Sequence, residues 1–408
     1  MIRYRCQFLL LIIVSVITSC EGLKRNAGNA KNNDIVVAAY YFPNYHTGDA
    51  RHARNPDKGP AWSEWELVKN AIPRFPGHQQ PLKPLWGYRD EKQPEVMEQN
   101  ITAATGHGIN CFIFDWYMYE DGPFLNRCID EGFLKAKNVN AMSFALMWAN
   151  HDWKDIHPLR KGDKPEVLYP GKVSPGRFEE IADLLIRQYF LKKNYLKIDG
   201  KPYFSIYDVS KFIESFGSVT LARAAMDRMD KKAMQAGLKG VHWNLVAWGR
   251  PILPGEEVPA DIPSLIRGLK FNSVTSYVWI HHVPLPRTQT DYNHVKNRYF
   301  EYWTKADSTY PAPYFPNVTM GWDPSPRCHP DSKWDASGYP YMNTISNNTP
   351  ENFKIALQAT KDRMLKQPGG FKMMTINCWN EWTEGSYLEP DTKNGMQYLE
   401  AVKDVFGK

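Results

Sequence analysis

The chain has 408 residues, of which 43% are hydrophobic and 23% charged, a balance close to globular averages that excludes collagenous, coiled-coil and polytopic membrane proteins and is enough for one large core. Its formal charge is +6, from 50 Lys and Arg against 44 Asp and Glu, and no basic run reaches five residues, so a nucleic-acid partner is not expected. Aromatic residues make up 13%, including 14 Trp, more than a core needs and suited to stacking on the flat apolar faces of sugar rings.

In chain order, Arg3 and Arg5 precede an apolar stretch over 8–17 that is about half of what a bilayer-spanning helix needs. It ends in Ile17-Thr18-Ser19-Cys20, an aliphatic residue and two small ones before a cysteine, which resembles the lipobox of bacterial lipoproteins. The expectation is a signal peptide over 1–20 with lipid on Cys20, a polar tether over 21–33, and a protein anchored at the bacterial cell envelope. Cys111, Cys128, Cys328 and Cys378 match no zinc or redox spacing.

Eight strand-like segments follow, at 35–43, 110–117, 141–150, 202–209, 241–249, 271–278, 314–323 and 373–381. Several are apolar throughout, as parallel strands buried on both faces require. Helical patterns separate them. Phe178, Ile181, Ala182, Leu185 and Tyr189 follow a Ser174-Pro175 start signal, and Phe353, Ala356, Leu357 and Met364 follow Thr349-Pro350. Further helices are expected at 94–107, 123–137, 220–236, 293–306 and 395–406, with a short one in 250–270. The alternation predicts a single (β/α)8 TIM barrel over 34–408, with a long β1–α1 loop at 44–93. A doubly wound open sheet would need a Gly-rich turn after its first strand, where this chain has Tyr40-Tyr41-Phe42-Pro43.

Chemistry in such a barrel sits where the strands end. Those ends carry Tyr41, Asn44, Asp115, Trp116, Tyr117, Trp148, Asn150, His151, Asp152, Tyr207 and Asp208, then Trp248, Arg250, Tyr277, Trp279, His281, Trp322 and Asp323. The last strand ends in Asn380, Glu381, Trp382 and Glu384, with Tyr387 close behind. Aromatics beside hydrogen-bonding groups are what a carbohydrate cleft needs. The expected sugar-binding set is Tyr41, Asp115, Trp116, Tyr117, Trp148, Asn150, Trp248, Trp279, His281, Asn380, Trp382 and Tyr387. Adjacent His281 and His282 face opposite ways on a strand and have no third ligand spaced to join them, so no metal is expected.

Glu381 and Glu384 lie three residues apart between Trp379 and Gly385. At a strand terminus followed by a glycine turn, two such carboxylates can converge on one pocket. Paired carboxyls, one protonated and one ionised, are the machinery of glycoside cleavage.

The segment Trp379-Asn380-Glu381-Trp382-Thr383-Glu384-Gly385, with Ser386-Tyr387-Leu388-Glu389-Pro390 behind it, resembles the C-terminal signature of the WbsX-like group. The segments 39–43, 112–117 and 147–150 resemble further landmarks of the same group. That group is related to glycoside hydrolase family 99, the endo-α-mannosidases. The resemblance implies a (β/α)8 barrel, no cofactor or metal, and retaining cleavage of internal α-mannosidic bonds in an oligo- or polysaccharide. It makes Glu381 and Glu384 catalytic, with Glu381 as base on the sugar 2-hydroxyl and Glu384 as acid, through a 1,2-anhydro sugar. His151-Asp152-Trp153 departs from the group's pattern beside the cleft. The competing functions are a glycosyltransferase of polysaccharide assembly and a non-catalytic glycan-binding lipoprotein. A monomer is the default.

Overall fold

The computed structural model describes residues 35–55, 58–249, 251–253 and 257–407. The leader, Cys20, the tether and Arg250 lie outside the described residues.

The apolar runs become strands buried along their whole length: β1 (Val36–Tyr41) and β2 (Cys111–Tyr119) have no exposed residue. The others are β3 (Ser143–Trp148), β4 (Lys201–Ile206), β5 (His242–Val246), β6 (Ser273–Thr275), β7 (Tyr314–Phe315), β8 (Asn317–Thr319) and β9 (Met373–Asn377). All pair in parallel, in the order β7-β6-β5-β4-β3-β2-β1-β9-β8. β7 and β8 are one strand interrupted at Pro316, so the two ends of the path are neighbours in the chain and the circuit nearly closes. Proline has no N–H to give to a ladder. Its carbonyl still accepts from Thr375 N (2.9 Å), and Asn317 N turns to the Tyr299 hydroxyl (2.7 Å). The eight expected strand positions and the (β/α)8 barrel are thus present.

Helices α1 (Ala50–Arg54) and α2 (Trp65–Asn70) lie in the long first loop, and α3 (Pro94–Gly106) follows it. The outer layer continues with α4 (Pro175–Leu185), α5 (Val209–Phe216), α6 (Val219–Gln235), α7 (Ile262–Leu269), α8 (Tyr292–Thr309), α9 (Pro350–Lys366) and α10 (Gln397–Phe406). The two start signals act as expected: Ser174 and Thr349 accept from Arg177 N and Asn352 N, each at 3.2 Å, with proline at the first helical position. The helix expected over 123–137 is replaced by a π-turn at Cys128–Gly132 and a 3-10 turn at Phe133–Lys135. Leu125 adopts φ +58°, a left-handed conformation that cannot continue a right-handed helix. Helix α5 was not expected; its Asp208 cap, which accepts from Lys211 N (2.9 Å), lies at the end of a strand segment read as reaching 209.

Candidate active site

The strand ends open into a cavity of about 580 Å³. Its floor is built by the chain after β9. Asn380–Glu381 pairs antiparallel with Ser386–Tyr387, and Trp382–Glu384 makes the tight turn between them. Gly385 closes that turn at φ +63°, and a Cβ there would stand 2.8 Å from the Asp323 Cβ. Only glycine accepts both the conformation and the contact. This hairpin brings two carboxyls three residues apart onto one cavity, which lines both.

One guanidinium joins them. Arg327, in the 3-10 turn after β8, donates from Nη2 to Glu381 Oε1 (2.7 Å) and from Nη1 to Glu384 Oε1 (2.5 Å). Its Nε and Nη2 also donate to Glu64 Oε1 at 2.9 and 2.8 Å. Glu64 comes from the long first loop, just before α2, and accepts as well from Asn44 Nδ2 (2.5 Å) and Thr383 Oγ1 (2.6 Å). The Tyr339 hydroxyl is bonded to Arg327 Nη1 and donates to Glu384 Oε1 (2.7 Å). Across the cavity, the Tyr277 hydroxyl donates to Asp115 Oδ2 (2.9 Å) and lies 3.2 Å from Glu381 Oε2. Asp115 Oδ1 is buried and has no hydrogen-bond partner among the described residues.

Burial disfavours charge here. It pushes Glu381 well above the usual carboxylate range, with the Glu384 charge adding to the effect and Arg327 opposing it. Glu384 is also pushed up by burial, and Arg327 and the Tyr339 hydroxyl hold it down. Asp115 is driven well up by burial against the Tyr277 hydrogen bond. Among the cavity histidines, burial lowers His151 and His157 and brings His281 down to about 4. The result is a cleft whose carboxyls are pushed toward the protonated form and whose imidazoles are pushed toward the neutral form, walled by Tyr117, Trp153, Tyr207, Trp248 and Trp322. Rings of this kind stack on sugars, and an acid–base carboxyl pair can move protons at a glycosidic bond.

Of the expected residues, Asp115, Tyr117, Trp248, His281, Glu381 and Glu384 line the cavity. The others are committed elsewhere. Tyr41 donates to Glu91 Oε1 (3.0 Å), and Asn380 bridges Glu91 and the Phe42 backbone. Trp116 and Trp148 point into the helix layer, against Tyr189 and Phe178. Asn150 holds the Asp208 backbone through two bonds, at 2.7 and 2.8 Å. Trp279 donates to Asn317 O (2.9 Å). Trp382 and Tyr387 stack on each other at 3.7 Å, and donate to Glu389 and Asp391. For Tyr41, Trp116 and Trp148 the reason is the strand's two-residue period, which turns every second side chain away from the cavity; Trp279 and Trp382 lie in 3-10 turns. His281 and His282 lie at the 3-10 turn Trp279–His281 rather than on a strand; they still diverge, His281 lining the cavity and His282 meeting Ser276 Oγ (2.6 Å). Sequence reasoning missed Arg327, Glu64, Tyr339 and His157. All four lie in loops, and no spacing pattern marks them.

The family model described as Glycosyltransferase WbsX matches residues 37–402. Two curated proteins of Xanthomonas campestris pv. campestris strains, each named Uncharacterized protein WxcX, are 25% and 24% identical over 375 and 382 residues. Each alignment covers 90% of this chain and 49% of the relative, so this chain spans about half the length of the curated relatives it matches. Among solved structures, the family 99 endo-α-mannosidase from Bacteroides thetaiotaomicron, bound to bis-tris propane, superposes with a TM-score of 0.54 at 14% identity, covering 90% of this chain and 95% of that one. A structure described as a glycoside hydrolase-like protein gives 0.53 at 16%, covering 92% and 95%. At these identities the likeness is one of fold: a family 99-like glycoside hydrolase barrel.

Proposed function

Because this chain belongs to the WbsX glycosyltransferase family and folds as a family 99-like barrel, we propose that it hydrolyses α-glycosidic bonds in an oligo- or polysaccharide. The observation that carries the reading is the pair Glu381 and Glu384, joined by Arg327 in an aromatic-walled cavity. The family 99 neighbour is an endo-α-mannosidase, and that supports an internal α-mannosidic bond as the first candidate.

The mechanism proposed is retaining. Glu381, through Oε2, takes the proton of the axial 2-hydroxyl; O2 attacks C1 as the C1–O bond breaks. Glu384 protonates the departing oxygen. Water then opens the 1,2-anhydro sugar at C1: Glu384 takes the water proton, and Glu381 returns its proton to O2. Each step needs one ionised and one protonated carboxyl. In the protein alone burial pushes both Glu381 and Glu384 up. A hydroxyl donating to Glu381 favours its ionised form, and the proton then belongs on Glu384. Anchoring through lipid on Cys20, at the bacterial cell envelope, is part of the same proposal and rests on the sequence Ile17-Thr18-Ser19-Cys20.

The family's description favours a second reading, transfer from a sugar nucleotide. Incubating the intact chain with a panel of α-glycans, α-mannan among them, separates the two. Release of oligosaccharides without added nucleotide sugar supports hydrolysis; product formation only with nucleotide sugar supports transfer; binding with neither makes it a glycan-binding protein.

A further inference from the structure

Arg327 is 5% exposed, and its donors are all committed. Nε meets Glu64, Nη2 meets Glu64 and Glu381, and Nη1 meets Glu384 and the Tyr339 hydroxyl. Its guanidinium also lies 5.3 Å from the Phe42 ring centre. Three carboxyls therefore crowd one cation where little water enters: Glu381 and Glu384 are 2% and 8% exposed, and Glu64 is fully buried. With all three ionised the cluster would carry two uncompensated negative charges, which buried sites do not tolerate. Retaining a proton relieves one of them.

The geometry also says which oxygens remain. Glu381 Oε1 and Glu384 Oε1 are taken by the fork. Glu384 Oε2 receives no protein donor among the described residues, and Glu381 Oε2 meets only the Tyr277 hydroxyl, which is shared with Asp115. We infer that Arg327, anchored by Glu64, is a positioning residue that makes Glu381 and Glu384 share a single proton, binding one oxygen of each carboxyl and leaving the other to the substrate. The inference rests on the hydrolytic reading for what that proton is used to do. The other charged or titratable groups around the clamp include His157, with Nε2 3.9 Å from Glu64 Oε2, Tyr339, Tyr45, and Asp115 through Tyr277, together with Tyr117, Tyr207, His151 and Cys378. Burial lowers His157, so Arg327 is the cation bonded to both reacting carboxyls.

The test counts protons on the intact protein. Infrared difference spectra, assigned with Glu381→Gln and Glu384→Gln, should find one carboxylic acid in the pair at neutral pH. In Arg327→Met a second appears, because an adjacent cation depresses a carboxyl by about one to three pH units, and its loss moves the titration upward by that amount. Arg327→Lys keeps a charge but cannot fork between carboxyls, and falls between. If the Met variant does not fold by circular dichroism, the Lys variant decides. Proton count and titration unchanged from the parent in whichever variant folds would overturn the inference.

Hydrolysis is read separately, on α-mannan. No release of sugar together with the infrared shift defeats the hydrolase reading and leaves the clamp. Release without the shift does the reverse. Where both hold, the rate–pH bell of Arg327→Lys moves to higher pH.

Discussion

Glu381 and Glu384 have the same chemistry and different surroundings, and the separate roles proposed for them come from that difference. Replacing either with glutamine should lower kcat/KM on ordinary α-glycosides by about 10²- to 10⁴-fold, the usual worth of a positioned acid or base. The two variants should part on an activated aryl glycoside, whose leaving group needs little protonation. There Glu384→Gln recovers most of its rate and Glu381→Gln does not; an equal loss on both substrates removes the acid role from Glu384. Tyr339 supplies a finer test. Its hydroxyl bonds Glu384 Oε1 and holds that carboxyl down, so Tyr339→Phe raises it. An acid that stays protonated longer moves the alkaline limb of the rate–pH profile upward, and an unmoved or lowered limb contradicts the assignment. None of these partners was legible beforehand. Glu381 and Glu384 end an apolar run and are bracketed by Trp379 and Trp382, a local signal. Arg327, Glu64 and Tyr339 reach the site only through loop closure in three dimensions, which leaves no periodicity in the chain.

At the scale of the element, the hairpin after β9 decides whether the carboxyls converge. Gly385 carries it, at φ +63° and with a would-be Cβ 2.8 Å from the Asp323 Cβ. Gly385→Ala should cost about 2–4 kcal/mol, the left-handed penalty plus overpacking, and lower activity by displacing Glu384. Gly369 makes the control: it has φ +59°, but nothing stands within 4 Å of a Cβ there, so its alanine variant should lose only about 1 kcal/mol. Equal urea midpoints for the two variants would contradict the role given to the Asp323 contact. The barrel strands were readable because burial on both faces demands apolar residues throughout, as in β1 and β2. Which strand-end aromatics line the cavity was not, because a shift of one residue exchanges cavity for helix layer. Trp116 turns outward while Asp115 and Tyr117 line the cavity.

Across the whole molecule, buried histidines tie stability to pH. Burial brings His242 from 6.5 down to about 3 and His281 down to about 4. A depressed value means the fold holds the neutral ring: the stabilisation is complete above 6.5 and is lost as pH falls toward the folded value. The loss is about 1.4 kcal/mol per pH unit for each ring. Buried acids raised in the fold, Asp115 and Glu381 among them, act in the opposite direction, so a single stability curve mixes both. Comparing parent with His242→Gln isolates one ring. The variant's deficit in unfolding free energy should shrink by about 1.4 kcal/mol per pH unit between pH 6.5 and 3, and a constant deficit would contradict a buried neutral His242. The barrel and the proposed acid–base pair meet in one measurement: incubation of the intact chain with an α-manno-oligosaccharide, without nucleotide sugar, followed by NMR of the first product. Release of a reducing end with retained α configuration, absent in Glu381→Gln and Glu384→Gln, is the expected result. No release, with glycosidic product formed only when a sugar nucleotide is added, would contradict it.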